Sequence, residues 1–120
     1  MLTDKELNDL IIDAIRDRKG RAITLVDLSD IPDASARGFI IAEGNSTTQV
    51  AAIADRLRER LLDDARIKPF NSDGEHANSE WIVLDYGDLW VHIFVPEARR
   101  RYRLEDLWSD AVITRYPDLD

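Results

Sequence analysis

The chain is 120 residues long and 44% hydrophobic, with a formal net charge of -8 and no cysteine. That length suits a single domain over residues 1–120, able to bury ~65% of its unfolded surface without staples, and the missing cysteine excludes disulfides, thiolate metal sites and cysteine nucleophiles. With 24 acids against 16 bases, little direct nucleic-acid binding is expected, because that affinity comes largely from Lys and Arg displacing counterions.

A basic protein surface is the more natural partner for such a field, although net negative charge also simply keeps a domain soluble. No apolar run approaches the ~20 residues that span a bilayer. The start, MLTDKELNDLIIDAI, is acidic and amphipathic, unlike a secretory or transit peptide. These features, with a composition that fits a reducing compartment, predict a soluble cytoplasmic protein with no membrane contact.

The first predicted element is a helix over residues 4–18. Thr3 and Glu6 have capping-box spacing, and Leu7, Leu10, Ile11, Ala14 and Ile15 recur at helical intervals. Lys19-Gly20 ends it. Ala22 to Leu28 reads as a strand, Ser29 to Asp33 as a loop, and Phe39 to Ala42 as a buried central strand. Ser46 and Gln49 repeat the capping-box spacing before a second helix to about residue 64, with Val50, Ile53, Ala54, Leu57 and Leu61 as its buried stripe. Its polar face mixes Asp and Glu with Arg, the pattern of a solvated surface.

Ile67 to Asn71 is predicted as a short strand. Trp81 to Asp85 and Leu89 to Val95 form a hairpin with a tight turn at Tyr86-Gly87-Asp88. Pro96 opens a segment, EARRRYRLEDLWSD, expected to be helical in part. The tail over 112–120 is short and acidic, the composition of an end that frays. Interleaved helices and strands give an α/β class, a mixed β-sheet flanked by helices.

Three patterns carry candidate chemistry. Glu43-Gly44-Asn45-Ser46-Thr47 sits between a strand and a helix, where free amides could receive an anion. Yet it matches neither phosphate-loop glycine pattern, and a glycine turn with a Ser or Asn cap needs no ligand. Asp85 and Asp88 flank a turn and could meet a cation, but Asp-Tyr-Gly-Asp is also ordinary turn chemistry. A nucleotidyltransferase would need two or three carboxylates on adjacent strands; after the Gly-Asn-Ser turn that spacing falls inside the second helix, where Asp55 stands among Arg residues. No metal site, catalytic residue or cofactor is therefore expected.

His92 alternates with Trp90 and Phe94 on one strand face and reads as a hydrogen-bonded packing residue, since no triad signature surrounds it. Trp90 and Trp108 are expected in the core, while Trp81 opens its strand and is the better candidate for partial exposure. Trp and Tyr beside acids make a plausible anchor for an Arg- or Lys-bearing partner.

The segments FIIAEGNSTTQVAAIAD, IKPFNSDGE and WIVLDYGDLWVHIFVPEARRRYRLEDLW together resemble the ribosomal silencing factor family, also called Iojap. The likeness runs from about residue 4 to 111 and keeps the order and spacing of the family's motifs. It implies a fold similar to nucleotidyltransferases without their catalytic carboxylates, and a non-enzymatic function. Such factors bind ribosomal protein number fourteen of the large ribosomal subunit, block joining of the small subunit, and lower translation when nutrients are scarce.

Three positions depart from the family pattern. They are Ala22 where Asp is frequent, Arg37-Gly38 where Asp-Tyr is common, and Arg66 where Gly is expected. Carried over by motif, Trp81, Asp85, Tyr86, Asp88, Tyr102, Glu105 and Trp108 are the expected partner-binding residues. Gly87 and Gly44 are the expected structural turns, and Leu107 with Trp108 is expected to close the core. Two other functions stay open, a nucleotide-handling enzyme on the related fold and a ribosome-assembly adaptor. So does the free protein's state, monomer or homodimer.

Overall fold

The computed structural model describes residues 2–34, 36–108 and 110–119; Ser109 and Asp120, which belong to the predicted helical segment and tail, lie outside them. Helix α1 spans Asp4–Asp17. Its capping box is complete: the Glu6 amide donates to Thr3 Oγ1 at 3.1 Å, and the Thr3 amide donates to Glu6 Oε1 at 3.0 Å. Strands β1 (Arg21–Asp27) and β2 (Gly38–Glu43) follow, then helix α2 (Thr47–Ala65). The rest is β3 (Asn71–Asp73), β4 (Trp81–Asp85), β5 (Leu89–Phe94), α3 (Pro96–Tyr102), a 3-10 turn (Leu104–Asp106) and β6 (Val112–Arg115).

The strands make one six-stranded sheet in the order β3-β4-β5-β2-β1-β6. Only the central β2–β5 pair is parallel, so the sheet is mixed and flanked by helices, as predicted. The alternation of each strand divides the apolar residues between two faces. Ile23, Ile40, Ala42, Ile82, Leu84, Val91 and Ile93 pack under α1 and α2. Val26, Ile41 and Phe94 face the other way, under Ala98 of α3, with Leu104 and Trp108 packed against them. Because α3 is short, it covers only part of that second face. Among the described residues no helix is long and apolar enough to cross a membrane.

Three expectations are corrected. The tail does not fray over Val112–Arg115, because β6 pairs antiparallel with β1 and extends the sheet. The strand expected at Ile67 to Asn71 begins only at Asn71. Pro69 has no amide to give, and the link to β4 starts when the Phe70 amide donates to the Asp85 carbonyl at 2.7 Å. The polar face of α2 is also more than a solvated surface. Arg56 Nε reaches Asp17 of α1 at 2.9 Å, and Arg60 reaches Asp17 at 2.8 Å and Asp13 at 3.1 Å. Burial alone would push the Asp17 carboxyl up, but hydrogen bonds from Arg60 and Arg56 outweigh it and hold the group below the usual carboxylate range.

The three departures from the family pattern have distinct consequences. Ala22 takes φ 52° at the irregularity between Arg21 and Thr24. Arg66 caps α2 in the left-handed region at φ 56°, where glycine would be unstrained, so this chain carries local strain at the helix exit that a Gly would relieve. Arg37 lies 3.3 Å from Asp4 and donates to Asn8. Its charge is thus engaged with α1, on the helix-covered side.

Candidate functional site

The part of the second face that α3 leaves open is an aromatic cleft of about 470 Å³. Its floor follows from strand register. Asn71, Asp85, Trp90 and Phe39 lie in one row across β3, β4, β5 and β2, and Asp73, Val83, His92 and Ile41 lie in the next. Residues paired across strands share a face, with Cβ atoms about 5 Å apart. Leu104, Leu107 and Trp108 form the wall opposite.

An aromatic stack anchors one end of the cleft. The Trp81 ring lies 4.9 Å from Phe94 in a stacked arrangement and 4.6 Å from Tyr102. Trp81 Nε1 donates to His92 Nδ1 at 3.0 Å. An indole can only donate, so Nδ1 is the acceptor and the imidazole proton sits on Nε2. Nε2 is buried without a hydrogen-bond partner, and the Phe39 ring stands perpendicular to the imidazole at 5.3 Å.

Burial pushes His92 down from 6.5 to about 4, so the folded protein keeps it neutral at physiological pH. Between pH 6.5 and 4 the unfolded chain takes up this proton while the folded chain does not. Stability therefore falls as pH falls across that window, by about 1.4 kcal/mol per unit from this group. A His92→Gln variant should lose that slope, which urea unfolding of both proteins at about pH 7 and about pH 4.5 would show. An unchanged slope would contradict the assignment.

The turn between β4 and β5 sets the acidic rim. Gly87 has φ +89°, a left-handed conformation that glycine alone adopts without strain. Its amide donates to Asp85 Oδ1 at 2.7 Å, and its carbonyl accepts from Trp90 Nε1 at 3.1 Å. The expected role of Gly87 as a turn residue therefore fits this geometry. Gly44 is needed differently, because a Cβ there would lie 3.0 Å from the Val50 amide nitrogen of α2.

Asp73 and Asp85 line the cleft, and Asp88, in the β4–β5 turn, is exposed. Among the described residues none of these three carboxylates has an ion-pair partner. Among the described residues no Lys or Arg lines the cleft.

The partner-binding residues expected from motif fall into two groups. Trp81, Asp85 and Trp108 line the cleft and are half-buried, Asp88 is exposed, and Tyr102 is 46% exposed beside Trp81. Tyr86 and Glu105 are not available in the same way. Tyr86 is buried among the residues under α1 and α2, and burial pushes its hydroxyl up to about 12. Period-two spacing with Ile82 and Leu84 was a signal of that placement. Glu105 is held by Arg99 at 2.8 Å, with little of either side chain exposed.

Other placements also differ from expectation. Trp90 and Trp108 line the cleft rather than the core interior. Leu107 does not close the core, being 68% exposed at the cleft rim. Phe39, Val83 and Asp73 belong to the cleft and were not singled out from sequence. Their strand parity, once the register is known, places them there.

The Gly-Asn-Ser turn is satisfied by its own side chains. Ser46 Oγ accepts from the Gln49 amide at 3.1 Å, and Gln49 Oε1 accepts from the Asn45 amide at 2.6 Å. Gln49 Nε2 also donates to the Arg18 and Lys19 carbonyls, tying the end of α1 to the start of α2. Among the described residues no group of three or more His, Cys, Asp or Glu is gathered as metal ligands would be.

Comparison with known proteins gives consistent matches. The family model described as "Ribosomal silencing factor during starvation" matches residues 2–120. A ribosomal silencing factor from Chromobacterium violaceum is 36% identical over 105 residues, spanning 88% of this chain and 84% of its own. One from Halalkalibacterium halodurans is 33% identical over 110 residues, spanning 92% of each chain. A crystal structure of a Chromobacterium violaceum protein is similar with a TM-score of 0.81 at 32% identity, covering 89% of this chain and 87% of that one.

Proposed function

The chain belongs to the ribosomal silencing factor family, and from that premise we propose that it represses translation by binding the large ribosomal subunit. In this reading it docks on ribosomal protein number fourteen, and its bulk keeps the small subunit from joining. It acts in the cytoplasm, as a steric block and not as an enzyme. The observation that carries the reading is the aromatic cleft lined by Asp73 and Asp85, which with exposed Asp88 have no ion-pair partner among the described residues. An apolar floor under unpaired acids suits a basic protein surface, because the aromatics supply buried area and the acids supply orientation and rate.

Two features support a binding role over nucleotide chemistry. The helix N-terminus that could receive a phosphate is already capped by Ser46 and Gln49. Of the carboxylates at the β4–β5 turn, Asp85 lines the aromatic cleft and Asp88 is exposed to solvent.

The test is sedimentation with purified ribosomal subunits. The protein should co-migrate with the large subunit, and the fraction of joined ribosomes should fall as it is added. Asp88→Lys, which leaves the core untouched, should weaken the association roughly tenfold, and wild-type binding should weaken with salt. If the protein stays at the top of the gradient while joining is unaffected, the reading is wrong.

A further inference from the structure

We propose that the cleft is a socket for one arginine side chain of the partner protein, seated on the Trp90 indole with its guanidinium paired to Asp85. This rests on the docking role given above and names the chemistry that the docking surface selects. Asp85 and Trp90 are direct cross-strand partners, so carboxylate and indole project side by side from one face. The ring and the acid are both constrained beforehand. Trp90 Nε1 is tied to the Gly87 carbonyl at 3.1 Å, and Asp85 Oδ1 accepts the Gly87 amide at 2.7 Å.

The second oxygen of Asp85 has no partner among the described residues. Trp108 and Leu104 close the opposite wall, giving the stem of a long side chain an apolar surface. A guanidinium satisfies this arrangement better than an ammonium. It is planar, stacks on an indole face, is weakly hydrated, and donates from an edge to a carboxylate.

The adjacent sheet edge already has two of its amides engaged. On β3 the Ser72 amide is taken by Asn71 Oδ1 at 3.0 Å, and the Gly74 amide by Asp73 Oδ1 at 2.8 Å. An added strand would have to displace both. The partner is therefore selected by a side chain entering the cleft, and not by main-chain pairing at this edge.

The test needs no ribosome. The protein, labelled with nitrogen-15, is titrated with N-acetyl-arginine methylamide into the tens of millimolar, as a single weak side-chain site requires. The neutral isostere N-acetyl-citrulline methylamide is titrated in parallel, and the indole N–H signals are followed. The arginine probe should shift the Trp90 and Trp108 signals with saturation, citrulline should not, and Asp85→Asn should abolish the shift. Asn keeps an acceptor for the Gly87 amide, so the turn is preserved, and unchanged backbone signals away from the cleft verify this.

No saturable shift, or an equal shift from citrulline, overturns the socket. In the subunit assay Asp85→Asn should weaken binding roughly 30-fold. Wild-type association with undiminished binding of Asp85→Asn overturns the socket and leaves the silencing role standing. A saturable arginine shift in a protein that does not bind the large subunit supports the socket and overturns the role.

Discussion

Replacing Arg99 with Met should lower the unfolding free energy by about 3–5 kcal/mol. Arg99 stands in a run of arginines, Arg99-Arg100-Arg101, yet its own side chain is only 11% exposed. Its guanidinium donates to the Ala22 carbonyl at 2.6 Å, Glu43 at 2.9 Å, Thr24 Oγ1 at 2.9 Å and Glu105 at 2.8 Å. One side chain on α3 thus joins the irregular start of β1, the end of β2 and the 3-10 turn. Methionine keeps the stem's packing but strands two largely buried carboxylates, and the desolvation of unpaired charge dominates the loss.

The mechanism can be separated from mere loss of contact. Adding Glu43→Gln and Glu105→Gln to Arg99→Met should recover most of the stability, because removing every charge of a network costs far less than removing one. Urea unfolding followed by circular dichroism measures all variants. A loss below about 1 kcal/mol for Arg99→Met alone would show that the network is solvated and weak.

Trp81→Ala should be the second large effect, about 3 kcal/mol, the lower part of the range for removing a packed aromatic because Trp81 is half-buried. Trp81 does two things at once. Its ring fills the space between Phe94 and Tyr102, and its N–H holds the His92 imidazole. Trp81→Phe keeps most of the stack and leaves His92 Nδ1 unpaired, so it should cost about 1–2 kcal/mol. Near-UV circular dichroism should report the loss of the stack in the Ala variant more than in the Phe variant. Equal losses would mean that the hydrogen bond, and not the stack, carries the contribution. The Ala variant also removes the end wall of the cleft, so Trp81 shapes the proposed docking surface.

How far the site could be read beforehand differs residue by residue. The hairpin, its Gly87 turn and the core positions Ile82, Leu84, Val91 and Ile93 followed from period-two spacing and one turn signature. The same parity placed Tyr86 with Ile82 and Leu84, under the helices, although its motif neighbour Asp85 lies at the cleft. A motif groups residues by sequence adjacency, whereas a strand sends adjacent side chains to opposite faces. Glu105 was out of reach for another reason. Its partner Arg99 lies six residues earlier, across a left-handed residue at Arg103 with φ 50°, so no helical spacing announces the pair.

By itself the sequence determined what depends on neighbours along the chain: the capped helices, the alternating strands, the glycine turn, the acidic balance and the order of motifs that marks the family. Tertiary structure alone decided which of those residues meet. The sheet order brings β3 beside β4 and β2 beside β5, assembling Asp73, Asp85, Trp90 and Phe39 from four strands. The shortness of α3 leaves that patch uncovered, and Arg99 draws Glu105 away from it. Local pattern is set by the 3.6 and two-residue periods of the backbone. The fate of a charge or an aromatic depends on which distant surface is close enough to desolvate or pair it, and that is a property of the packed fold.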